Sequence, residues 1–233
     1  LRRKRNKCMI ITGSMCDPYI HLEEKLRYTR RCLEIILAYG FGMAIQTKSA
    51  RILRDLDLLL KINERAKCVV QVTLTTYDED LCKIIEPHVS TTKERFEVLK
   101  VMRDHHIPTI VWLDPILPFI NDTEENLAGI LEYCREAEVY GIICFGFGLT
   151  LRDGNREYFY RKLDEHFPGL KQRYINRYGN SYEVMSDNNP GLMRIFLQEC
   201  EKHHIVCSNE RLFSYRHKLE SRDEARQISL FDR

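Results

Sequence analysis

Short apolar runs alternate with segments whose apolar residues recur at helical spacing. Cys8-Met9-Ile10-Ile11-Thr12-Gly13 reads as a buried strand that ends at a glycine. From about Leu22 to Ala38, Leu26, Leu33, Ile36 and Leu37 share one helical face, and Gly40 supplies the stop. Gly42 to Thr47 is a second strand. Ile52, Leu56, Leu59 and Leu60 mark a second helix, and Cys68 to Leu74, rich in β-branched residues, a third strand. Thr91 with Glu94 has capping-box spacing, and the helix it opens carries Phe96, Leu99, Val101 and Met102. Thr109 to Leu113 is a fourth strand. Asp122 with Glu125 repeats the capping-box spacing ahead of a helix bearing Leu127, Ile130, Leu131, Cys134 and Ala137. Gly141 to Phe145 is a fifth strand. The order βαβαβαβαβ predicts an α/β fold with a parallel sheet and crossover helices.

After Leu149 the texture changes. Residues 155–178 are rich in Tyr, Arg, Lys and Glu and read as helix broken at Pro168-Gly169. Asn188-Asn189-Pro190 reads as a turn, 191–204 as a further helix and 218–233 as a loose polar tail. No Gly-, Ser- or Pro-rich linker divides the chain. The expected organisation is therefore a sheet-bearing core over 1–150 with a helical C-terminal extension over 151–233 packed on it.

Composition narrows this only slightly. The 233 residues carry a formal charge of +2, with 44% hydrophobic and 30% charged residues, ordinary for a globular protein. So small an excess makes no electrostatic case for nucleic acid or for a membrane surface. No apolar run is long enough to span a bilayer. The nine cysteines are odd in number, widely spaced and without a CxxC pair, which predicts reduced thiols in a cytoplasmic protein rather than a disulfide framework.

In parallel α/β folds, ligands bind outside the carboxyl ends of the strands. Polar residues and glycines gather there: Gly13-Ser14-Met15-Cys16-Asp17 after the first strand, Lys48 after the second, Thr73, Thr75, Asp78 and Glu86-Pro87 after the third, Asp114-Pro115-Ile116 after the fourth, Phe145-Gly146 after the fifth. Every strand must end in a turn, and Asp78 and Asp122 are also plain helix caps. Lys48 stands out because a lysine directly after an apolar strand points into the mouth of the sheet. The run Phe145-Gly146-Phe147-Gly148 lacks GxGxxG spacing, and no P-loop or GxSxG motif is present. The pairs His105-His106 and His203-His204 miss zinc-ligand spacing and suit helix C-termini. The basic opening, Arg2 to Lys7, reads as the solvated end of a helix.

The strings GSMCDPY, TRRCLEI and TKSARILRDLDLL, then TLTTYDED, EP at 86–87 with ER at 94–95, PILPFIND and FGLTLRDGNREYFYRKLDEHFPGL resemble, in that order, the radical S-adenosylmethionine (SAM) proteins related to spore photolyase. The match runs from about residue 8 to 180 and points to the photolyase-like branch more than to spore photolyase itself. The resemblance implies a partial (β/α)6 TIM-like barrel with a [4Fe–4S] cluster at its mouth. In such proteins a CxxxCxxC loop holds the cluster, and one electron cleaves SAM to a 5′-deoxyadenosyl radical that abstracts hydrogen from substrate. CxxxCxxC is absent here, and the five strands would be strands two to six. The first βα unit would thus be mostly missing, its cysteines upstream of Leu1, and this chain a truncated form, inactive alone, that does not hold the cluster.

The resemblance also assigns residues. Gly13, Ser14 and Asp17 would meet the amino group of SAM, and Lys48 its methionyl carboxylate. Thr73 and Thr75 would reach the ribose, Pro115 and Ile116 the adenine, and Phe145 and Gly146 would close the site. An electron donor is an implied partner. Nucleic acid enters only by analogy with the thymine-dimer DNA of spore photolyase, and the oligomeric state is left open. Two other readings stand beside the radical enzyme: a cluster-less barrel that binds a small molecule or partner without catalysis, and a conventional barrel enzyme using Lys48 as clamp or nucleophile.

Overall fold

The structure is a computed structural model that describes residues 1–4 and 6–219. Five strands, β1 (Met9–Thr12), β2 (Gly42–Thr47), β3 (Cys68–Thr73), β4 (Thr109–Trp112) and β5 (Gly141–Ile143), form one parallel sheet in the order β1-β2-β3-β4-β5. Sequential order with every pair parallel requires a crossover after each strand, and the apolar-faced helices supply it. The strand junctions include Ile10 beside Met43, Ala44 beside Val69, Gln71 beside Ile110 and Val111 beside Ile142.

The crossover helices all lie on one face. Met43, Ile45, Val70, Val72, Val111 and Ile142 pack there against Leu33 and Ile36 of α2 (Tyr28–Tyr39), Leu59 and Ile62 of α3 (Leu56–Arg65), Leu99 of α5 (Thr92–Asp104) and Ile130 of α6 (Glu124–Glu136). Helices on one side only mark a barrel wall rather than a doubly wound sheet. The chain is thus an α/β fold of partial TIM-barrel type.

Local chemistry explains the element ends. The first expected helix is two: α1 (Glu23–Leu26) stops at Arg27, whose φ of 52° lies in the left-handed region, before α2 begins. A 3-10 turn, Ala50–Asp55, precedes α3. Asp78 caps α4 (Glu79–Ile85) by accepting from the Asp80 and Leu81 N–H groups. Thr91 and Glu94 form the reciprocal capping box on α5. The second expected box does not form: Thr123 caps α6, while buried Asp122 accepts the Ser186 hydroxyl instead. His105 and His203 cap the C-termini of their helices, and His106 and His204 take positive φ. The described part of the basic opening is turn and coil, not helix.

Beyond β5 the chain builds a second layer. β6 (Gly148–Thr150) pairs antiparallel with β7 (Glu183–Met185), and between them run α7 (Asn155–His166) and α8 (Leu170–Tyr178), separated at Pro168-Gly169. Leu151, Leu163, Tyr174 and Val184 form their own apolar cluster, and the Tyr174 hydroxyl donates to the Pro118 carbonyl at 2.7 Å. Pro190 begins α9 (Asn189–Lys202), which returns to the helical face through Leu192 and Phe196. The last described helix, α10 (Asn209–His217), crosses to the opposite, inner face, where Leu212 packs on Met9, Ala44, Val69, Ile110 and Ile143. Residues 220–233 of the expected tail lie outside the described residues.

Candidate functional site

The carboxyl ends of the strands open together, and the loop after β1 sits closest to β2. Gly13 has φ of 97°, and a side chain there would come within 2.0 Å of the Gln46 carbonyl oxygen, so only glycine lets this loop lean so closely. Asp17 then fastens it. Its carboxylate accepts the Tyr19 N–H at 2.8 Å, the Thr47 hydroxyl at 2.7 Å and the Lys48 N–H at 2.7 Å. Three donors leave Asp17 as a brace. Ser14 is exposed in the same loop.

Asp17 thereby orients the backbone of Lys48, and the Lys48 ammonium reaches Glu86, just past α4. The other oxygen of Glu86 meets the Arg95 guanidinium at 2.6 Å. Arg95 is fully buried, and its Nε and Nη1 groups donate to the carbonyls of Ser90 and Thr73 at 2.7 and 2.8 Å. A buried charge stands only where it is paired and hydrogen-bonded, and both conditions hold here. Burial works to raise the Glu86 pKa, but the nearby Lys48 and Arg95 charges outweigh it and hold the carboxyl below its ordinary range. Asp114 behaves oppositely: burial raises its pKa, and Lys48 offsets that only in part.

Lys48, Thr75 and Glu86 form one side of a cavity of about 1140 Å³. Asp114, Pro115, Phe145 and Gly146 contribute the strand ends, and Arg152, Tyr158, Phe159, His166 and Met185 close the far side from α7 and the β6–β7 ribbon. Gly146 has φ of 112°, and a Cβ there would approach Met185 Cε to 2.6 Å, so the ribbon docks on bare backbone. This volume exceeds the usual range for a drug-sized ligand, so there is room for a cofactor and a substrate together.

Of the ten residues named from sequence, Lys48, Thr75, Pro115, Phe145 and Gly146 line this cavity. The other five lie outside its lining. Thr73 is buried and serves through its carbonyl to Arg95. Ile116 is buried and donates its N–H to the Gly148 carbonyl at 3.1 Å, tying β6 to the loop after β4. Gly13, Ser14 and Asp17 form the braced loop described above. Sequence reasoning left three central residues off its site, Glu86, Arg95 and Asp114, although the EP and ER pairs lay among the quoted strings.

Comparison with known proteins settles the family. A profile described as the Radical SAM superfamily matches residues 1–165. The chain belongs to the radical SAM superfamily. Curated relatives of this radical SAM chain include the uncharacterized protein ORF301 of Acidianus two-tailed virus, 29% identical, the match covering 73% of this chain and 59% of that one. A second is the uncharacterized protein Mb2609c of Mycobacterium bovis, 27% identical over 72% of this chain and 49% of that one. A third, MJ0683 of Methanocaldococcus jannaschii, is 30% identical over 53% and 46%. The chain thus spans about half the length of the curated relatives it matches. Among solved structures, Streptococcus suis SuiB bound to S-adenosylmethionine aligns with a TM-score of 0.42 at 12% identity, covering 77% of this chain and 37% of SuiB.

The cofactors of the superfamily fit unequally. Among the described residues no three His, Cys, Asp or Glu side chains converge on a metal site. Burial pushes the Cys68 and Cys200 thiols up to about 12 and Cys144 up to about 11, which opposes the thiolate form that iron requires. Cys16 and Cys32 are exposed and lack such partners. The described residues therefore do not hold a [4Fe–4S] cluster. SAM fits better, since Lys48, Thr75 and Asp114 offer charged and polar contacts beside the apolar Pro115 and Phe145. No helix among the described residues is long and apolar enough to cross a membrane.

Proposed function

We propose that this chain is the core of a radical SAM enzyme of the spore photolyase-like branch, acting by reductive cleavage of SAM and hydrogen abstraction from a substrate. The carrying observation is the cavity on a radical SAM fold, with Lys48 at its rim and the C-terminal layer as its far wall. In this reading residues 1–150 form the core and 151–233 the extension that encloses the substrate. In the superfamily the electron comes from a [4Fe–4S] cluster. The described residues do not hold one, so the chain's own part is to bind, orient and shield SAM and substrate, with an external electron donor.

Lys48 pairs with the methionyl carboxylate of SAM by exchanging it for Glu86. Arg95 makes that exchange cheap, because Glu86 keeps a buried cationic partner when Lys48 leaves. Thr75 and Asp114 offer oxygens to the ribose hydroxyls, and Thr73 supports them by anchoring Arg95. Pro115 and Phe145 flank the adenine, Ile116 holds Pro115 against β6, and Gly146 admits the ribbon that keeps water out. Gly13 and Ser14 present loop backbone to the SAM amino group, and Asp17 fixes that loop.

The test is expression of the gene from its natural initiator and anaerobic reconstitution of that product, followed by assay of iron, sulfide and 5′-deoxyadenosine formed from SAM under dithionite. About four iron and four sulfide per molecule of that product, with SAM cleavage lost in Lys48→Met, is the expected result. The lack of a converging thiol trio among the described residues favours a second reading, a cluster-less barrel that binds SAM or another small molecule without catalysis. Absence of iron and of cleavage, with SAM still retained in equilibrium dialysis, selects that second reading.

A further inference from the structure

The inner face of the sheet holds a polar cluster that the SAM contacts do not use. Gln71 on β3 is fully buried, and its carboxamide oxygen accepts the Trp112 indole N–H and an Arg216 N–H, each at 3.1 Å. The Gln71 Nε2 and the Arg216 Nε are buried and have no hydrogen-bond partner. Arg216 is 9% exposed, and burial alone acts on its pKa, pulling it below the ordinary arginine value. It forms no ion pair among the described residues. Arg95, the other buried arginine named here, meets Glu86. A buried guanidinium without a carboxylate is costly, and aromatic faces offset only part of that cost.

Its neighbours are aromatic. The Arg216 guanidinium carbon lies 4.2 Å from the Phe213 ring centre and 5.5 Å from that of Trp112. Trp112, Phe145 and Phe213 form a triangle with centroid separations of 6.1 to 6.2 Å. Phe145 is 57% exposed and also lines the main cavity, so the triangle links the cavity to Arg216. Ile11 and Gln46, on the neighbouring strands of the same face, are only partly buried.

We infer that Arg216, Gln71 and the Trp112–Phe145–Phe213 triangle form a subsite for an acid anion, carboxylate or phosphate, carried on a planar ring. The guanidinium and the Gln71 amide take the anion, and the aromatic triangle takes the ring. As the substrate subsite of the enzyme proposed above, it rests on that reading; as a binding site it stands by itself, which lets the two fail separately.

Trp112 is the sole tryptophan of the chain, so its emission reports this subsite. The 233-residue chain is titrated with benzoate and with phenyl phosphate, and with benzyl alcohol as the uncharged control. A saturable change with at least one anion and none with benzyl alcohol is expected, and the tighter of the two names the acid. Arg216→Gln is expected to weaken that binding at least tenfold, with circular dichroism as the check on folding. Arg216→Lys, which keeps the charge, retains part of the affinity and serves if the glutamine variant does not fold. A flat wild-type titration, equal binding of benzyl alcohol, or unchanged affinity in folded Arg216→Gln overturns the subsite. SAM retention is measured on the same sample by equilibrium dialysis. SAM binding with a flat tryptophan signal defeats the subsite alone, whereas anion binding without SAM binding upholds it and defeats the SAM contacts proposed for this chain.

Discussion

The two faces of the five-stranded sheet come from the same short runs of residues and are made of different material. On the helical face Met43, Ile45, Val70 and Val72 join one continuous apolar core. On the inner face Gln46, Gln71 and Thr73 occupy the intervening positions, and α10 covers only the layer around Leu212. Central parallel strands are ordinarily apolar on both sides. The polar residues Gln46, Gln71 and Thr73 of β2 and β3 therefore mark a face with less apolar burial. The helical face supplies stability, and in the proposed reading the inner face, with the strand ends above it, supplies contacts for ligands.

That division can be broken by measurement. The largest effect is expected where the two functions meet. Arg95→Ala strands buried Glu86 without its guanidinium and should cost about 3–5 kcal/mol in urea unfolding. On the helical face, fully buried Leu59→Ala should cost about 2–5 kcal/mol, whereas Gln46→Ala on the inner face should stay under about 1 kcal/mol. Equal losses at Leu59 and Gln46 would abolish the distinction between the faces.

The two carboxyls of the mouth should respond to pH with opposite sign. Glu86 has a folded pKa below its ordinary 4.5, so its contribution is present above about 4.5 and is lost as pH falls through the folded value. Glu86→Gln should therefore flatten the acid limb of a stability–pH curve. Asp114 has a folded pKa above its ordinary 3.8, so its contribution is present below 3.8 and is lost as pH rises through the folded value. Asp114→Asn should raise the Tm at neutral pH and leave it unchanged at strongly acid pH. A fall in Tm at neutral pH would show that Asp114 is a stabilising partner instead. A small effect is also expected at the cap on α5: Thr91→Ala should cost about 1 kcal/mol and leave ligand binding untouched.

Much of the sheet was legible because its strands are short apolar runs that alternate with amphipathic helices, and a parallel order follows from that alternation. Lys48 was legible because it directly follows such a run. The ribbon was not, since β6 and β7 have three residues each, too few to show a period. α10 was missed because it sits between two environments: Leu212 enters the core while Phe213 and Arg216 face the aromatic triangle, so its apolar residues trace no single stripe. Glu86 and Arg95 lie on either side of a helix start, and only the fold shows that one carboxylate serves both Arg95 and Lys48. Asp17 had the opposite fate, a residue in a ligand-facing loop whose lone pairs are taken by the protein itself.

The far wall of the cavity has a consequence for synthesis. Lys48 and Glu86 are made early, whereas Met185, which closes the ribbon over Gly146, is made about a hundred residues after Glu86. A nascent chain that has released only the sheet owns the polar mouth without its cover. At ordinary elongation rates of about 5–20 residues per second, the mouth stays open to solvent for several seconds before the ribbon can seat. Any ligand captured during translation would meet an open bowl, and the enclosed chamber is a property of the finished polypeptide alone.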